Sequence, residues 1–283
     1  MSTTDAEQLK GLREAIARYR SAVIAFSGGV DSTFLARVAA DVLGRDKLLL
    51  ITASSSTYPF FELEESKRLA ADLGVRQRVV VSEETEIPGF TQNPPDRCYY
   101  CKGELFRLIK EIAAQEDFAA VFDGSNADDI HDHRPGRRAL RELGIVSPLC
   151  EAGLGKDTIR ALSREMGLPT ADKPSYACLA SRFPYGEEIT REKLDRVGMA
   201  EQGMRELGLS QFRVRSHGDL ARIELAPDEM ERGWKMREKL ERICRNAGYV
   251  YVALDLRGYR TGAMNEVLSA QEREHGSVET QRP

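Results

Sequence analysis

Apolar residues along this chain keep two different rhythms. In the first they return every three or four positions, as in Leu9, Leu12 and Ile16, in FLARVAADVLG (34–44), in FFELEESKRLAADLG (60–74), and in Leu105, Leu108, Ile109 and Ile112 of ELFRLIKEIAAQ. Each predicts a helix that buries one face. In the second they form short unbroken runs: AVIAF (22–26), KLLLIT (47–52), RQRVVVS (76–82), FAAVFDG (118–124) and GIVSPL (144–149). Such runs predict strands covered on both sides, the mark of a parallel sheet. RRALRELG (137–144) and KDTIRALSREMG (156–167) are again helical, so strand and helix alternate. The pattern predicts a doubly wound α/β domain over residues 1–171.

The rhythm breaks at LPTADKPSYACLASRFPYGEEIT (168–190), which holds three prolines, a cysteine and few periodic positions. Loops this long and irregular are often functional, and residues 172–189 read as an interdomain cysteine loop. Beyond it the order is helix (191–208), strand (211–217), a turn at Gly218, strand (220–225), helix (228–248) and strand (249–256). This predicts a smaller C-terminal α+β domain over 190–262. Met230, Trp234, Leu240, Ile243 and Ala247 form the expected core stripe of the last helix, with Cys244 a small buried hydrophobe beside them. Residues 263–283 are polar and are expected to be disordered.

Composition narrows the class. The chain has 283 residues, 41% hydrophobic and 30% charged, the balance of a soluble globular protein. No apolar run is long enough to cross a bilayer, and MSTTDAEQLK lacks the basic-then-apolar order of a secretory leader. A cytoplasmic location without a membrane partner is expected. The formal net charge of −4 speaks against a nucleic-acid partner. Arginines do gather at RPGRRALR (134–141), where a solvated face is the default, and at Arg213, Arg215 and Arg222. Five cysteines in a reducing compartment are not expected to form structural disulfides.

AVIAFSGGVDSTFLA (22–36) runs from strand through a Ser-Gly-Gly turn into helix. Gly28 and Gly29 let the backbone turn tightly, and the amides of Gly28, Gly29, Val30, Asp31 and Ser32 can converge on an anion at the helix start. A plain tight turn needs one glycine and gives no reason for hydroxyls at both ends with an acid between them. GxxxxGK[ST] and GxGxxG are both absent. The stretch resembles the PP-loop of the ATP pyrophosphatases, with their adenine nucleotide alpha-hydrolase-like fold. That resemblance implies ATP held by its pyrophosphate end, an acceptor oxygen attacking the α-phosphate, and Mg²⁺ neutralising the departing pyrophosphate. Ser27 and Ser32 would donate to phosphate and Asp31 would be the metal-associated acid, with a capping role as its alternative.

FDGSNADDIHDHRPG (122–136) follows another strand, and ligands of parallel sheets bind beyond the strands' carboxyl ends. Gly124, Ser125, Asn126, Asp128 and Asp129 are therefore expected beside the first loop. Either aspartate could help hold Mg²⁺ or orient nucleotide, or cap the next helix.

PPDRCYYCKGELF (94–106) sets Cys98 and Cys101 just before a predicted helix, where amides and the helix dipole favour thiolate. A CxxC supplies two ligands, whereas closed zinc sites and iron–sulfur cubes take four. Cys178 is the nominated third thiol; three protein ligands on a [4Fe-4S] cluster leave one iron open to hold an extra sulfide. Zinc completed by His131 or His133, a thioredoxin-like pair, and core cysteines without chemistry stay open as alternatives. Cys150 has no partner by spacing.

Together AFSGGVDS (25–32), GSNADDIHDHRPG (124–136), the stretch from Ser147 to Gly186 containing PSYACLASR, and FRVRSHGDLARIEL (212–225) resemble the LarE family over about residues 8–260. That family inserts sulfur into the nickel-pincer nucleotide of lactate racemase. The resemblance implies an ATP-dependent sulfur transferase whose substrate, pyridinium-3,5-biscarboxylic acid mononucleotide, is adenylated and converted to thiocarboxylate. In some members the cysteine matching Cys178 gives up its own sulfur and becomes dehydroalanine. Others carry the extra CxxC and use a three-cysteine [4Fe-4S] cluster as carrier, and Cys98 and Cys101 place this sequence with them. The resemblance also implies substrate-phosphate contacts from Ser181, Arg182, Arg213 and Arg215, with Glu201 and Glu224 near that phosphate, and a homo-oligomer. It names no sulfur donor. Rival readings are a PP-loop tRNA thiolase, which the acidic balance opposes, and an ammonia-using ligase of the NAD or GMP synthetase kind, which has no need of the thiols.

Overall fold

The computed structural model describes residues 3–130, 135–260 and 262–268. His131 and His133, weighed as zinc ligands, lie outside the described residues, as does the tail beyond 268. The chain forms two compact units, one from residues up to Glu83 together with Asp96–Ser175, the other from Glu84–Pro95 together with the described residues from Tyr176 onward.

The first unit runs α1 (Thr3–Ala17), β1 (Ala22–Ala25), α2 (Val30–Leu43), β2 (Leu48–Ser54), α3 (Phe60–Leu73), β3 (Gln77–Val81), α4 (Arg97–Gln115), β4 (Ala120–Phe122), α5 (Gly136–Glu142), α6 (Pro148–Glu151) and α7 (Lys156–Glu165). Its sheet is parallel in the order β3-β2-β1-β4, with Val23 opposite both Leu49 and Val121. The unbroken apolar runs of β1 and β2 follow from burial on both faces, while β3 at the sheet edge leaves Val79 and Val81 exposed. Ile24, Leu48 and Leu50 pack against Leu12, Phe34, Leu69 and Ile159 of α1, α2, α3 and α7. Val23, Leu49, Ile51 and Val80 face the other way, onto Phe106, Ile109 and Ile112 of α4 and Leu140 of α5. This is the doubly wound α/β arrangement that the sequence predicts.

Two local expectations change. GIVSPL does not form a strand; Val146 alone makes an isolated bridge to Phe122, because Pro148 has no amide for a ladder and instead opens α6. The CxxC does not precede its helix either. α4 begins at Arg97, so Cys98 and Cys101 stand one turn apart inside it. The apolar period starts only at Leu105 and cannot report the polar turns ahead of it.

The second unit contains α8 (Arg191–Glu206), β5 (Phe212–His217), β6 (Leu220–Leu225), α9 (Met230–Lys235), α10 (Arg237–Asn246) and β7 (Tyr251–Leu254). β5 and β6 are antiparallel about Gly218, whose φ is +58°, and β6 is parallel to β7. Leu194, Val197 and Met204 of α8 are buried, as are Phe212, Val214, Ile223 and Leu225 of the strands. The single helix expected over 228–248 is broken at Met236, whose amide turns back onto Arg232 and Gly233. The break shifts the helical phase, so Trp234 leaves the predicted core stripe and is 59% exposed while Leu240, Cys244 and Ala247 stay buried. Ala263–Val267 form a short 3-10 turn. Among the described residues no helix is long and apolar enough to cross a membrane.

Candidate active site

β1 delivers the chain to Phe26, whose amide bonds the Ile51 carbonyl at 2.8 Å and whose carbonyl accepts from Thr52 Oγ1 at 2.6 Å. The backbone then leaves the sheet. Gly28 has φ +66°, and a Cβ there would stand 3.2 Å from both Cα and Cβ of Ser66 on α3, an approach that glycine alone accommodates without strain. Ser27 Oγ and Ser32 Oγ lie 3.2 Å apart, and α2 opens at Val30 with Asp31 in its first turn. Amides at a helix start have no partner within the helix, which makes this turn an anion seat.

The loop after β4 closes against it. A Cβ on Gly124 would stand 3.3 Å from the Ser32 amide nitrogen. Beneath it the buried Asp123 accepts from Ser125 Oγ, from the Ser125 amide at 3.2 Å and from Ser147 Oγ at 2.5 Å. Asn126 Nδ2 reaches Asp31 Oδ1 at 3.5 Å, and the Asn126 amide donates to Asp129 Oδ2 at 3.0 Å. Asp128 accepts from the Lys156 amide at 2.7 Å, which caps α7. Cys150 donates to the Asn126 carbonyl at 2.9 Å, and burial pushes its thiol up to about 11.

Three further residues belong to this site, and none of them was singled out from the sequence. Lys156 Nζ stands 2.6 Å from Asp31 Oδ2. Lys173 Nζ bonds Glu62 at 2.6 Å, Glu65 at 2.8 Å and the Gly28 carbonyl at 3.2 Å. Tyr58 Oη donates to the Ser27 carbonyl at 2.7 Å; burial, then the charges of Glu62 and Glu65, raise its pKa and keep the phenol protonated. None sits on a periodic face. A basic residue directly behind the glycine turn of GLGKD is the one hint the sequence carries.

In the second unit Arg182 is fully buried. Its Nε and Nη2 meet the two oxygens of Glu201 at 2.8 Å each, and its Nη1 donates to the carbonyls of Ala177 (2.7 Å) and Cys178 (3.1 Å) and to Ser181 Oγ (2.9 Å). Burial alone would lower the Arg182 pKa and raise that of Glu201; their mutual attraction outweighs it, leaving Arg182 raised and Glu201 lowered. Glu201 also accepts from the Val214 amide at 3.0 Å. Arg215 bonds Glu224 through Nε and Nη2 and the Ser181 carbonyl through Nη1 at 2.8 Å. Arg213 lies on the same face of β5, its guanidinium 4.9 Å from the Tyr259 ring, and burial followed by repulsion from Arg182 lowers its pKa. Of the expected phosphate-binding set, Arg182–Glu201 and Arg215–Glu224 are thus two buried ion pairs that both reach Ser181, while Arg213 donates to the Phe212 carbonyl.

The cysteines fall into two kinds. Cys98 and Cys178 are exposed and Cys101 is part-buried, whereas Cys244 is buried and its thiol pushed up to about 12. Cys98 and Cys101 offer two donors on adjacent turns of one helix; Cys178 belongs to the second unit. Among the described residues no three His, Cys, Asp or Glu side chains gather into a group that could hold a metal ion.

A serine-flanked glycine turn on the carboxyl edge of a parallel sheet, feeding a helix whose first turn carries an acid, defines a PP-loop nucleotide enzyme. The family model of NAD synthase matches residues 6–91, which include this turn. An uncharacterized protein of Synechocystis sp. is 44% identical over 264 residues, 93% of this chain and 98% of that protein. The pyridinium-3,5-bisthiocarboxylic acid mononucleotide synthase of Lactiplantibacillus plantarum is 37% identical over 246 residues, 87% of this chain and 89% of its own. A glutamine-hydrolyzing GMP synthase chain of Archaeoglobus fulgidus is 26% identical over 218 residues, 69% of this chain and 67% of its own. The chain belongs to the family of the Lactiplantibacillus synthase, the LarE family, and is an ATP-dependent sulfurtransferase.

Proposed function

We propose that this enzyme adenylates the carboxylates of pyridinium-3,5-biscarboxylic acid mononucleotide and converts them to thiocarboxylates for the nickel-pincer cofactor. The observation that carries the reading is the phosphate turn at Ser27–Ser32, seated on α3 through Gly28, in a chain 37% identical to a named synthase over 87% of its length. The amides of residues 28–32 and the hydroxyls of Ser27 and Ser32 hold the pyrophosphate end of ATP. A substrate carboxylate oxygen attacks the α-phosphorus, the bond to the β-phosphate oxygen breaks, and pyrophosphate leaves; sulfur then displaces AMP at the acyl carbon. Asp31, now paired with Lys156, would hold Mg²⁺, with Asp128 or Asp129 as the other acids within the loops, and the ion would neutralise the departing pyrophosphate. Gly124, Ser125, Asn126 and Asp128 border the nucleotide.

Arg213 and Arg215 bind the substrate phosphate, as a fork of guanidinium donors suits it. Ser181 and Glu224 stand beside them, while Arg182 and Glu201 hold the Cys178 turn in place. Three thiolates, from Cys98, Cys101 and Cys178, suit an iron–sulfur centre with an open position better than closed zinc. Cys98, Cys101 and Cys178 would be the residues to hold a [4Fe-4S] cluster, which would supply sulfide repeatedly and make the enzyme a catalyst and not a sacrificial reagent. Cytoplasmic residence and assembly as a homo-oligomer complete the proposal.

Anaerobic purification with iron, sulfide and zinc analysis, coupled to pyrophosphate release on addition of the dicarboxylate mononucleotide, tests it. The expected result is about four irons per chain, acceptor-dependent pyrophosphate, and loss of thiocarboxylate product in Cys178→Ala. Full activity in a Cys98→Ala/Cys101→Ala/Cys178→Ala variant would instead support the ammonia-using ligase that the GMP synthase likeness suggests.

A further inference from the structure

Lys173 is enclosed by three acceptors, Glu62 Oε2, Glu65 Oε2 and the Gly28 carbonyl, and only 10% of its side chain is exposed. An ammonium has three hydrogens, and all three are directed. Two carboxylates against one ammonium leave the cluster net negative, so this lysine does not offer a phosphate its charge. It acts on the backbone. A trans peptide points its carbonyl and its amide in opposite directions, and among the described residues no peptide is cis. Lys173 holding the Gly28 carbonyl therefore turns the Gly29 N–H the other way, and Tyr58 holding the Ser27 carbonyl does the same to the Gly28 N–H. The Gly29 amide accordingly faces the hydroxyl side, 3.3 Å from Ser27 Oγ.

We infer that Lys173, with Tyr58, is a positioning residue that aims two amides of the phosphate turn at the pyrophosphate of ATP by holding the carbonyls behind them. The inference rests on the ATP reading above for its purpose, but the clamp itself is a property of the ligand-free chain. An anion seat has value only if its donors already point inward, since otherwise binding must first order them. Gly28 cannot order itself, because at φ +66° a glycine is equally at ease elsewhere. α3 blocks it on one side through Ser66, and Lys173 and Tyr58 hold its flanking carbonyls.

The test compares wild type, Lys173→Met, Lys173→Arg and Tyr58→Phe. Hydrogen exchange of the 26–32 segment is measured in the ATP-free protein, and the KM for MgATP and kcat are measured by pyrophosphate release. In Lys173→Met, exchange of the segment quickens about tenfold or more and the KM for ATP rises by about tenfold, with kcat within about twofold. Lys173→Arg recovers most of the affinity, and Tyr58→Phe moves both readouts the same way by a smaller factor. Tyr58→Phe removes a single oxygen and leaves the Lys173 ion pairs, so it serves if Lys173→Met does not fold. Unchanged exchange at 26–32, or an unchanged KM with only the active fraction reduced, overturns the clamp. If wild type releases no pyrophosphate, the ATP reading fails, and the exchange measurement alone decides whether the clamp exists.

Discussion

Arg182 and Glu201 show how far one residue's surroundings can set its part. A buried guanidinium with one edge paired to a carboxylate and its remaining nitrogen bonded to two carbonyls and a hydroxyl has little freedom to meet a ligand, and removal of one ionic partner leaves the other charge uncompensated. Glu201→Gln should therefore cost about 3–5 kcal/mol of stability at neutral pH, measured by urea unfolding. The sign of its pH dependence follows from the lowered folded pKa of Glu201. Its contribution is complete above the unfolded carboxylate value and is lost as pH falls through the lower folded value. The gap between wild type and variant should narrow in acid and stay constant from about pH 6 upward. A stability gap that widens on acidification would contradict the pairing. The pairing itself is not legible in the sequence: Arg182 and Glu201 stand 19 positions apart in loop and helix, and only the fold tells a buried arginine from an exposed one.

Elements were more legible than their ends. β1 and β2 follow from unbroken apolar runs, since a strand buried on both faces has no polar position to interrupt it, whereas β3 at the sheet edge opens on Gln77 and Arg78 and leaves Val79 and Val81 exposed. GIVSPL has the same composition and fails, because a proline decides backbone donors while an apolar count measures only side chains. α4 and the helices after residue 228 fail at their boundaries for a related reason: a polar first turn and a break at Met236 leave no trace in the period. The phosphate turn was readable because its requirements are backbone requirements, and glycine announces them. Gly28→Ala tests that point. A side chain at φ +66° that also meets Ser66 at 3.2 Å should cost about 1–3 kcal/mol and weaken MgATP binding, as read by thermal unfolding and by nucleotide titration. A variant with wild-type melting and wild-type affinity would show that the turn does not need its left-handed residue.

For the molecule as a whole, charge separates the surviving readings. With a net charge of −4, the protein should not retain tRNA in a gel-shift assay at about 150 mM salt; tight binding with a steep salt slope would restore the thiolase alternative. The sequence located both loops at the carboxyl edge of the sheet because parallel topology leaves ligands no other common place. It missed Lys156, Lys173 and Tyr58, whose neighbours come from distant segments. The turn that bears Cys178 adds a consequence of its own. Arg182 Nη1 and Ser181 Oγ both grip that residue by its carbonyl oxygen, and every amino acid has one. A molecule in which the Cys178 sulfur has been alkylated or mutated away keeps the same handhold, so the turn should hold its contour whether or not its thiol is intact.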